Sequence, residues 1–141
     1  TELLAKHACR VILTPHPKEF SRLTERSVKE ILSDPVGAAQ AFARRYGVTV
    51  LLKNNRSVIA DGTRVAVNPT GSPALAKGGS GDVLSGLLAG TCARGIAPFE
   101  AACVASYLLG RAGEIAAEEM GEYAPDPSDI IARLAKAQCS L

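Results

Sequence analysis

Short apolar runs alternate with amphipathic segments along the first half of the chain. Residues 10–14 form a short, mainly apolar run that ends in the proline-rich segment 14–17, which we expect to be a stiff loop. Residues 48–53 form a second, nearly continuous apolar run. Between them, residues 27–32 and 35–46 repeat apolar side chains at helical spacing. This order predicts half of a βαβ crossover, in which helices cover a parallel sheet on both faces. The predicted fold class is therefore α/β.

The longer of these predicted helices carries start and stop signals at its ends. Asp34 stands at the N-cap position, Pro35 at the first helical position, and Gly47 just beyond the last helical residue. These residue types favour a helix with sharply defined ends.

A hairpin signal and a glycine-rich segment follow the second apolar run. Residues 57–60 and 64–67 flank Asp61-Gly62, a dipeptide that tolerates the positive φ angles of a tight turn. Residues 68–81 contain four glycines and two prolines, too many for a regular element. The remaining sequence has the period of three helices, at 80–94, 98–120 and 128–137.

Composition narrows the function classes. With 141 residues, 47% hydrophobic, 21% charged and a net charge of +2, the chain resembles one ordinary globular domain. It has no basic tract for nucleic acid, no membrane-spanning apolar stretch and no signal peptide. Its four cysteines are scattered, without a Cys-x-x-Cys pair, which argues against zinc and for a reducing compartment. We therefore expect a cytoplasmic protein without nucleic-acid or membrane partners.

The predicted sheet is small for this fold class. Four strands are fewer than the five or six of an average sheet, so we expect it to continue in sequence outside these 141 residues or in a partner chain. The chain opens on Thr1 and its one methionine is Met120. A fragment explains this, and so does a processed chain.

The most informative chemical signal is the glycine-rich run that leads into the next predicted helix. Gly78, Gly79 and Gly81 allow the backbone to approach a ligand, and the positive end of a helix dipole favours an anion. Gly79, Ser80 and Gly81 therefore form a candidate anion hole for a phosphate. Asp82 would repel that phosphate unless it accepts a proton from a hydroxyl. The alternative is that Asp82 only complements the dipole and the glycines only make a turn.

Two more polar residues follow predicted strands, at the end of an open α/β sheet where ligands bind. His16 is held between two prolines after the first strand, and Lys53 ends the second strand, where it is placed to meet a phosphate. Taken singly, a solvent-facing turn histidine and a lysine that snorkels from a strand end are the commoner explanations.

The order of these motifs favours ligand-binding roles over these commoner explanations. The segments TPHPKEF (14–20), VLLKNNRSVIADG (50–62) and VNPTGSPALAKGGSGDVLSGLLAG (67–90), followed by an alanine-rich helix and SDIIARL (128–134), together resemble the NAD(P)H-hydrate dehydratase family from its middle to its end. The resemblance covers essentially the whole chain. The Gly-Asp corner alone is shared with the wider ribokinase-like superfamily of sugar and vitamin kinases, whereas its combination with TPHP and NPTG is more specific.

The resemblance implies a fold, ligands and site residues. Residues 1–141 would be the C-terminal portion of a single ribokinase-like domain, a doubly wound sheet whose N-terminal half precedes Thr1. The implied ligands are hydrated NADH or NADPH (NADHX or NADPHX) and ADP or ATP with Mg²⁺, and the implied assembly is a homo-oligomer, a tetramer. His16 and Asp82 match the substrate contacts of the family. Its nucleotide contacts match Lys53, Asn54, Asn55, Arg56, Ser57 and Gly81.

Several positions depart from the family pattern. The family usually has Lys-Gly-Ala-Gly-Thr where this chain has residues 53–57 without glycine. Asn54 tolerates left-handed geometry, but Arg56 would need an unusual conformation or a different loop path. Lys77 replaces a common threonine and would add positive charge near the phosphates. Lys18, Ser72 and Ala74 also differ from the usual residues.

The implied reaction is that of a hydro-lyase which begins as a kinase. The anion hole would stabilise charge on the transferring phosphoryl group, and Asp82 would take the proton of the ring hydroxyl. Loss of phosphate then restores the ring double bond. Two alternatives stay open: a sugar or vitamin kinase of the same superfamily, and a non-catalytic fragment or binding protein.

Overall fold

The computed structural model describes residues 2–139, which divide into two compact units. The first unit runs to Val67 and includes Pro98–Ala102; the second comprises Asn68–Ala97 and the chain from Cys103 onward. The first unit contains strands β1 (Ile12–Leu13), β2 (Thr49–Leu52), β3 (Val58–Ala60) and β4 (Val65–Val67) and helices α1 (Pro17–Thr24), α2 (Val28–Ser33) and α3 (Pro35–Tyr46). Helices α4 (Ser80–Ala93) and α6 (Pro127–Gln138) belong to the second unit, with most of α5 (Pro98–Met120). Short 3₁₀ turns lie at Glu2–Lys6 and Pro73–Leu75.

The strands form one sheet in the order β1-β2-β3-β4. β1 and β2 are parallel, with Ile12 opposite Thr49, and helices α1 to α3 lie between them in sequence. β2, β3 and β4 are antiparallel to one another in turn. The parallel pair confirms the predicted half crossover, and β3 and β4 form the predicted hairpin.

The core of the first unit lies between the sheet and α1 to α3. All four residues of β2 are buried, as predicted for a strand covered on both faces. On one face, Val50 and Leu52 join a cluster with the rings of Phe20 and Phe42, whose centroids are 5.3 Å apart. This packing fixes the ends of β1 and β2, where the candidate ligand-binding residues lie.

Helix α3 has the ends that its sequence predicted. Asp34 Oδ1 accepts the N–H of Gly37 at 2.8 Å, which satisfies one of the free donors of the first turn. Gly47 closes the helix in the left-handed conformation, with φ +65°.

The hairpin turn forms by a different device from the expected one. Gly62 does not have a positive φ. Instead, Asp61 Oδ1 accepts the backbone N–H groups of Thr63 at 2.8 Å and Arg64 at 2.6 Å. The aspartate side chain, rather than glycine freedom, closes the turn.

Helix α1 was not predicted. The sequence from 14 to 17 was expected to be a stiff loop, but the chain turns into a helix at Pro17. His16 is its N-cap and Pro17 its first residue, a position where proline costs no hydrogen bond. The three C-terminal helices were predicted, and their observed ends differ from the predicted ones by a single residue at most. No helix within residues 2–139 is both long enough and apolar enough to cross a membrane.

Candidate functional site

The predicted substrate residue His16 caps helix α1 through a reciprocal pair of hydrogen bonds with Glu19. His16 Nδ1 accepts the N–H of Glu19 at 3.1 Å, and Glu19 Oε2 accepts the N–H of His16 at 2.7 Å. Because Nδ1 is an acceptor, the proton of the neutral ring lies on Nε2. Glu19 Oε1 lies 3.3 Å from that nitrogen. The ring is thereby fixed in place although its side chain is 48% exposed.

Lys53 lies beside the same carboxylate. Its backbone N–H donates to Pro15 O at 2.8 Å, which ties the end of β2 to the loop that carries His16. Its Nζ lies 4.0 Å from Glu19 Oε2. The structure therefore brings His16 and Lys53 together around Glu19. The pKa of Glu19 is lowered, first by the His16 backbone N–H and further by the charge of Lys53.

Sequence reasoning did not identify Glu19. The signal was present, because a cap residue followed by proline and, three positions on, by glutamate is a capping-box pattern. Histidine in place of serine or threonine hid it.

The predicted nucleotide stretch that follows Lys53 is an exposed loop built on side-chain hydrogen bonds. Asn54 Oδ1 accepts the N–H of Asn55 at 2.9 Å, and Asn55 Oδ1 accepts the N–H of Arg56 at 2.8 Å. Among the described residues other than glycine, only Glu25 has a positive φ. The loop thus takes a path that needs no left-handed residue, which was one of the two options open to Arg56.

The glycine corner forms the start of helix α4, in the second unit. Gly79 is the N-cap, with φ +92°, and its carbonyl accepts the N–H groups of Asp82 at 2.9 Å and Val83 at 3.1 Å. No side chain caps this end of the helix. Within residues 2–139 the backbone N–H groups of Gly79 and Gly81 have no acceptor, whereas that of Ser80 makes a long bond of 3.4 Å to Lys77 O. An uncapped N-terminus of this kind attracts an anion.

Asp82 is exposed in the first turn of α4. It lies at the rim of a groove of about 780 Å³ along α4, α5 and α6, as does Gly79. The rest of the groove is mainly apolar, with Leu87, Leu108 and Ile131 among its lining residues. Asp82 lies in the first turn of α4, whereas the other polar side chains that line the groove, Thr91, Arg94 and Gln138, lie at or near the C-terminal ends of α4 and α6.

Two contacts fix the position of the glycine corner. A Cβ added to Gly79 would lie 2.7 Å from Pro127 Cγ, so the start of α6 packs directly on the corner. Lys77 Nζ donates to Tyr123 O and to Pro125 O, both at 2.6 Å. Two of the three N–H donors of the Lys77 ammonium group are thus bonded to backbone carbonyls, and its expected charge beside a phosphate stays a prediction.

The NPTG segment, 68–71, anchors the start of the second unit to α5. Asn68 Nδ2 donates to Ser106 O at 3.1 Å, and Thr70 Oγ1 donates to Tyr107 O at 3.0 Å. Gly110 makes the close approach of Thr70 possible, since a Cβ there would lie 2.1 Å from Thr70 Oγ1. This turn therefore has a structural role, which its sequence alone did not reveal.

Comparison with known proteins gives consistent matches. The protein-family model described as NAD(P)H-hydrate dehydratase matches residues 1–136. An ADP-dependent (S)-NAD(P)H-hydrate dehydratase from Cenarchaeum symbiosum is 43% identical over 78% of this chain and 38% of its own length. The Bacillus subtilis ADP/ATP-dependent NAD(P)H-hydrate dehydratase, crystallised with ATP and Mg²⁺, aligns with a TM-score of 0.90 and 34% identity over 96% of this chain and 50% of its own.

A ribokinase-like superfamily protein from Enterococcus faecalis aligns with a TM-score of 0.75 and 25% identity, over 92% of this chain and 44% of its own. These likenesses confirm the predicted ribokinase-like α/β fold. The chain spans 22% to 41% of the length of the curated relatives that it matches.

Proposed function

Because this chain belongs to the NAD(P)H-hydrate dehydratase family, we propose that it takes part in the nucleotide-dependent dehydration of hydrated NADH or NADPH. The observation that carries the proposal is the uncapped start of α4, where an exposed aspartate stands three residues after a left-handed glycine. Free N–H donors beside a carboxylate suit a reaction in which a phosphoryl group is transferred to a hydroxyl.

In the proposed reaction, Asp82 accepts the proton of the ring hydroxyl as the hydroxyl oxygen attacks the γ-phosphorus of ATP, or the terminal phosphorus of ADP. The phosphoanhydride bond breaks, and ADP or AMP leaves. The N–H groups of Gly79 and Gly81 stabilise the negative charge on the transferring phosphoryl group. Inorganic phosphate then leaves with the electron pair of the carbon–oxygen bond. The neighbouring carbon loses a proton to water, and the electron pair of that carbon–hydrogen bond forms the ring double bond. The overall change is that of a hydro-lyase.

His16 and Lys53 have proposed roles in the same reaction. His16, with its Nε2 proton and fixed ring, is suited to donate a hydrogen bond to the substrate. Lys53 and the loop of residues 54–57 would bind the adenine nucleotide. Within residues 2–139 no three acidic, histidine or cysteine side chains cluster around a point that could hold a metal, and we propose that Mg²⁺ is carried mainly by phosphate oxygens and water.

The assembly and location are also proposals. The spans of the matches support the view that residues 1–141 are the C-terminal portion of one ribokinase-like domain. From the family resemblance we predict a homo-oligomer, a tetramer. From the scattered cysteines we predict a cytoplasmic location.

The substitution Asp82→Asn tests the proposed role of the carboxylate. When the complete enzyme that contains this chain is incubated with NADHX and ADP or ATP, we expect the return of NADH absorbance in the wild type and a loss of at least about 100-fold in the variant. From residues 1–141 alone we expect no dehydratase activity, because much of the pocket for the hydrate would be absent. Binding of the nucleotide should stay close to wild type, because asparagine preserves the helix start. Asp129→Asn, in the first turn of α6, is the matched control and should keep full turnover. Undiminished turnover in Asp82→Asn would contradict the assignment.

The same assay separates the alternatives. A sugar or vitamin kinase would consume ATP with its own substrate and leave NADHX unchanged. A binding protein would bind nucleotide or hydrate without turnover.

A further inference from the structure

Lys77 directly precedes the glycine corner and is one of the positions at which this chain departs from the family pattern. Its ammonium group donates two hydrogen bonds of 2.6 Å, to Tyr123 O and Pro125 O. Hydrogen bonds from a charged donor are shorter and stronger than neutral ones. The side chain is half-buried, so these bonds are partly shielded from water.

Both acceptors lie in the segment that joins α5 to α6, residues 121–126. This segment has no regular structure of its own: it starts at Gly121, with φ +84°, and its Tyr123 side chain is 88% exposed. It ends at Asp126, which caps α6 by accepting the N–H groups of Ser128 and Asp129. Residues 121–124 and Asp126 are exposed and only Pro125 is buried, so the two hydrogen bonds from Lys77 supplement the packing of one residue.

The segment returns to the corner at a second point. Pro127, the first residue of α6, lies against Gly79 so closely that no Cβ fits there. The segment is thus bonded to Lys77, which precedes Gly78, and the next residue along the chain, Pro127, packs against Gly79, which follows Gly78. The two contacts together restrict where the backbone of Gly79 can lie.

We propose that Lys77 is a positioning residue, which holds the backbone N–H groups of the glycine corner in the arrangement needed for phosphoryl transfer by fastening it to residues 121–126. The inference deepens the proposed function and rests on it. In this role Lys77 acts through the backbone of Gly79 and Gly81, and a contact between Lys77 and the phosphate is not required. A shift of about 1 Å in donors of this kind costs as much as about 100-fold in rate.

Three variants of the complete enzyme that contains this chain test this role. Lys77→Met keeps the apolar stem and removes the donors, Lys77→Arg keeps a charged donor, and Lys136→Met removes a lysine of the same unit whose ion pair with Glu119 lies on the surface. In the NADHX assay we expect Lys77→Met to lower kcat at least about tenfold with less than about threefold change in the KM of the nucleotide. Lys77→Arg should recover part of the loss, and Lys136→Met should match the wild type.

Amide hydrogen exchange gives a readout that does not depend on activity. In Lys77→Met, the amides of residues 78–82 and 121–126 should exchange faster than in the wild type and in Lys136→Met, while those of β2 stay protected. Unchanged exchange at residues 78–82 would overturn the inference whether or not the chain has dehydratase activity. Faster exchange with unchanged kcat would also overturn the inference, because the hydrogen bonds of Lys77 to residues 121–126 would then have a structural role only. If the wild type lacks turnover but exchange responds as expected, the proposed function fails, whereas the inference that Lys77 holds the glycine corner in place stands.

Discussion

Gly79→Ala offers the sharpest test of how the glycine corner is held, because two separate penalties fall on one added methyl group. Gly79 has φ +92°, a conformation that costs an L-residue about 1–2 kcal/mol. The new Cβ would also lie 2.7 Å from Pro127 Cγ, and overpacking of this kind costs about 1–3 kcal/mol. The sum, about 2–5 kcal/mol, is a large part of the typical 5–15 kcal/mol stability of a domain.

The assay is urea unfolding of the full chain, with the free energy of unfolding compared between variants. Gly78→Ala is the matched control, because Gly78 has no positive φ and a Cβ there would meet no atom within 4 Å. We expect it to change stability by less than about 0.5 kcal/mol.

A double mutant separates the two penalties. Pro127→Ala removes Cγ but keeps the Cβ, which lies 3.4 Å from the position that the added methyl group on Gly79 would take. In the Gly79→Ala background it should restore the packing part of the loss, so the two substitutions should couple by at least about 1 kcal/mol. Simple additivity, or equal stability of the Gly79→Ala and Gly78→Ala variants, would refute the reasoning.

Two further predictions concern other parts of the fold. Gly110→Ala should destabilise the chain by more than about 1 kcal/mol in the same unfolding assay, because its Cβ would lie 2.1 Å from Thr70 Oγ1; the control Gly90→Ala, in open space on α4, should be neutral or stabilising, and equal effects would contradict this. Burial raises the pKa of Asp61, but the N–H groups of Thr63 and Arg64 outweigh it and lower the pKa to about 2, from 3.8. Its contribution to stability is therefore fully present above about pH 4 and lost as the pH falls toward 2, so Asp61→Asn should show a shallower loss of unfolding free energy between pH 5 and 2 than the wild type.

The elements that were predicted from the sequence are those with strong local signals. Helix α3 carries Asp34, Pro35 and Gly47 at its ends, and each residue acts as its type suggests. β2 is apolar at nearly every position because it is buried on both faces. Where local propensity and tertiary packing favour the same state, the pattern is sufficient.

Helix α1 and the turn at 61–64 show where the pattern misled. Two prolines around His16 suggested a loop, although Pro17 sits at the one helical position that tolerates it. At the turn, Asp61-Gly62 suggested positive φ, but the carboxylate of Asp61 closes the turn by accepting two N–H groups. In both places a side chain accepts a hydrogen bond from a backbone N–H group two or three residues further along the chain. Such bonds produce no periodic pattern of apolar residues in the sequence.

For the candidate site, too, the sequence predicted some features and not others. His16 and Asp82 were predicted as site residues because their types suggest chemistry and they belong to recognisable motifs, and both side chains are exposed and contribute little to packing. The contacts that fix their surroundings were not predicted: Glu19 orients the His16 ring, and Lys77 donates to two backbone carbonyls. A carboxylate or an ammonium group can bind a ligand or stabilise the surrounding backbone, and its neighbours in the structure determine which role it has. For this chain the departures from the family pattern are therefore best judged by backbone contacts. Asn54 and Asn55 stand where the family has glycine and alanine, Lys77 stands where it has threonine, and all three side chains bond to backbone groups.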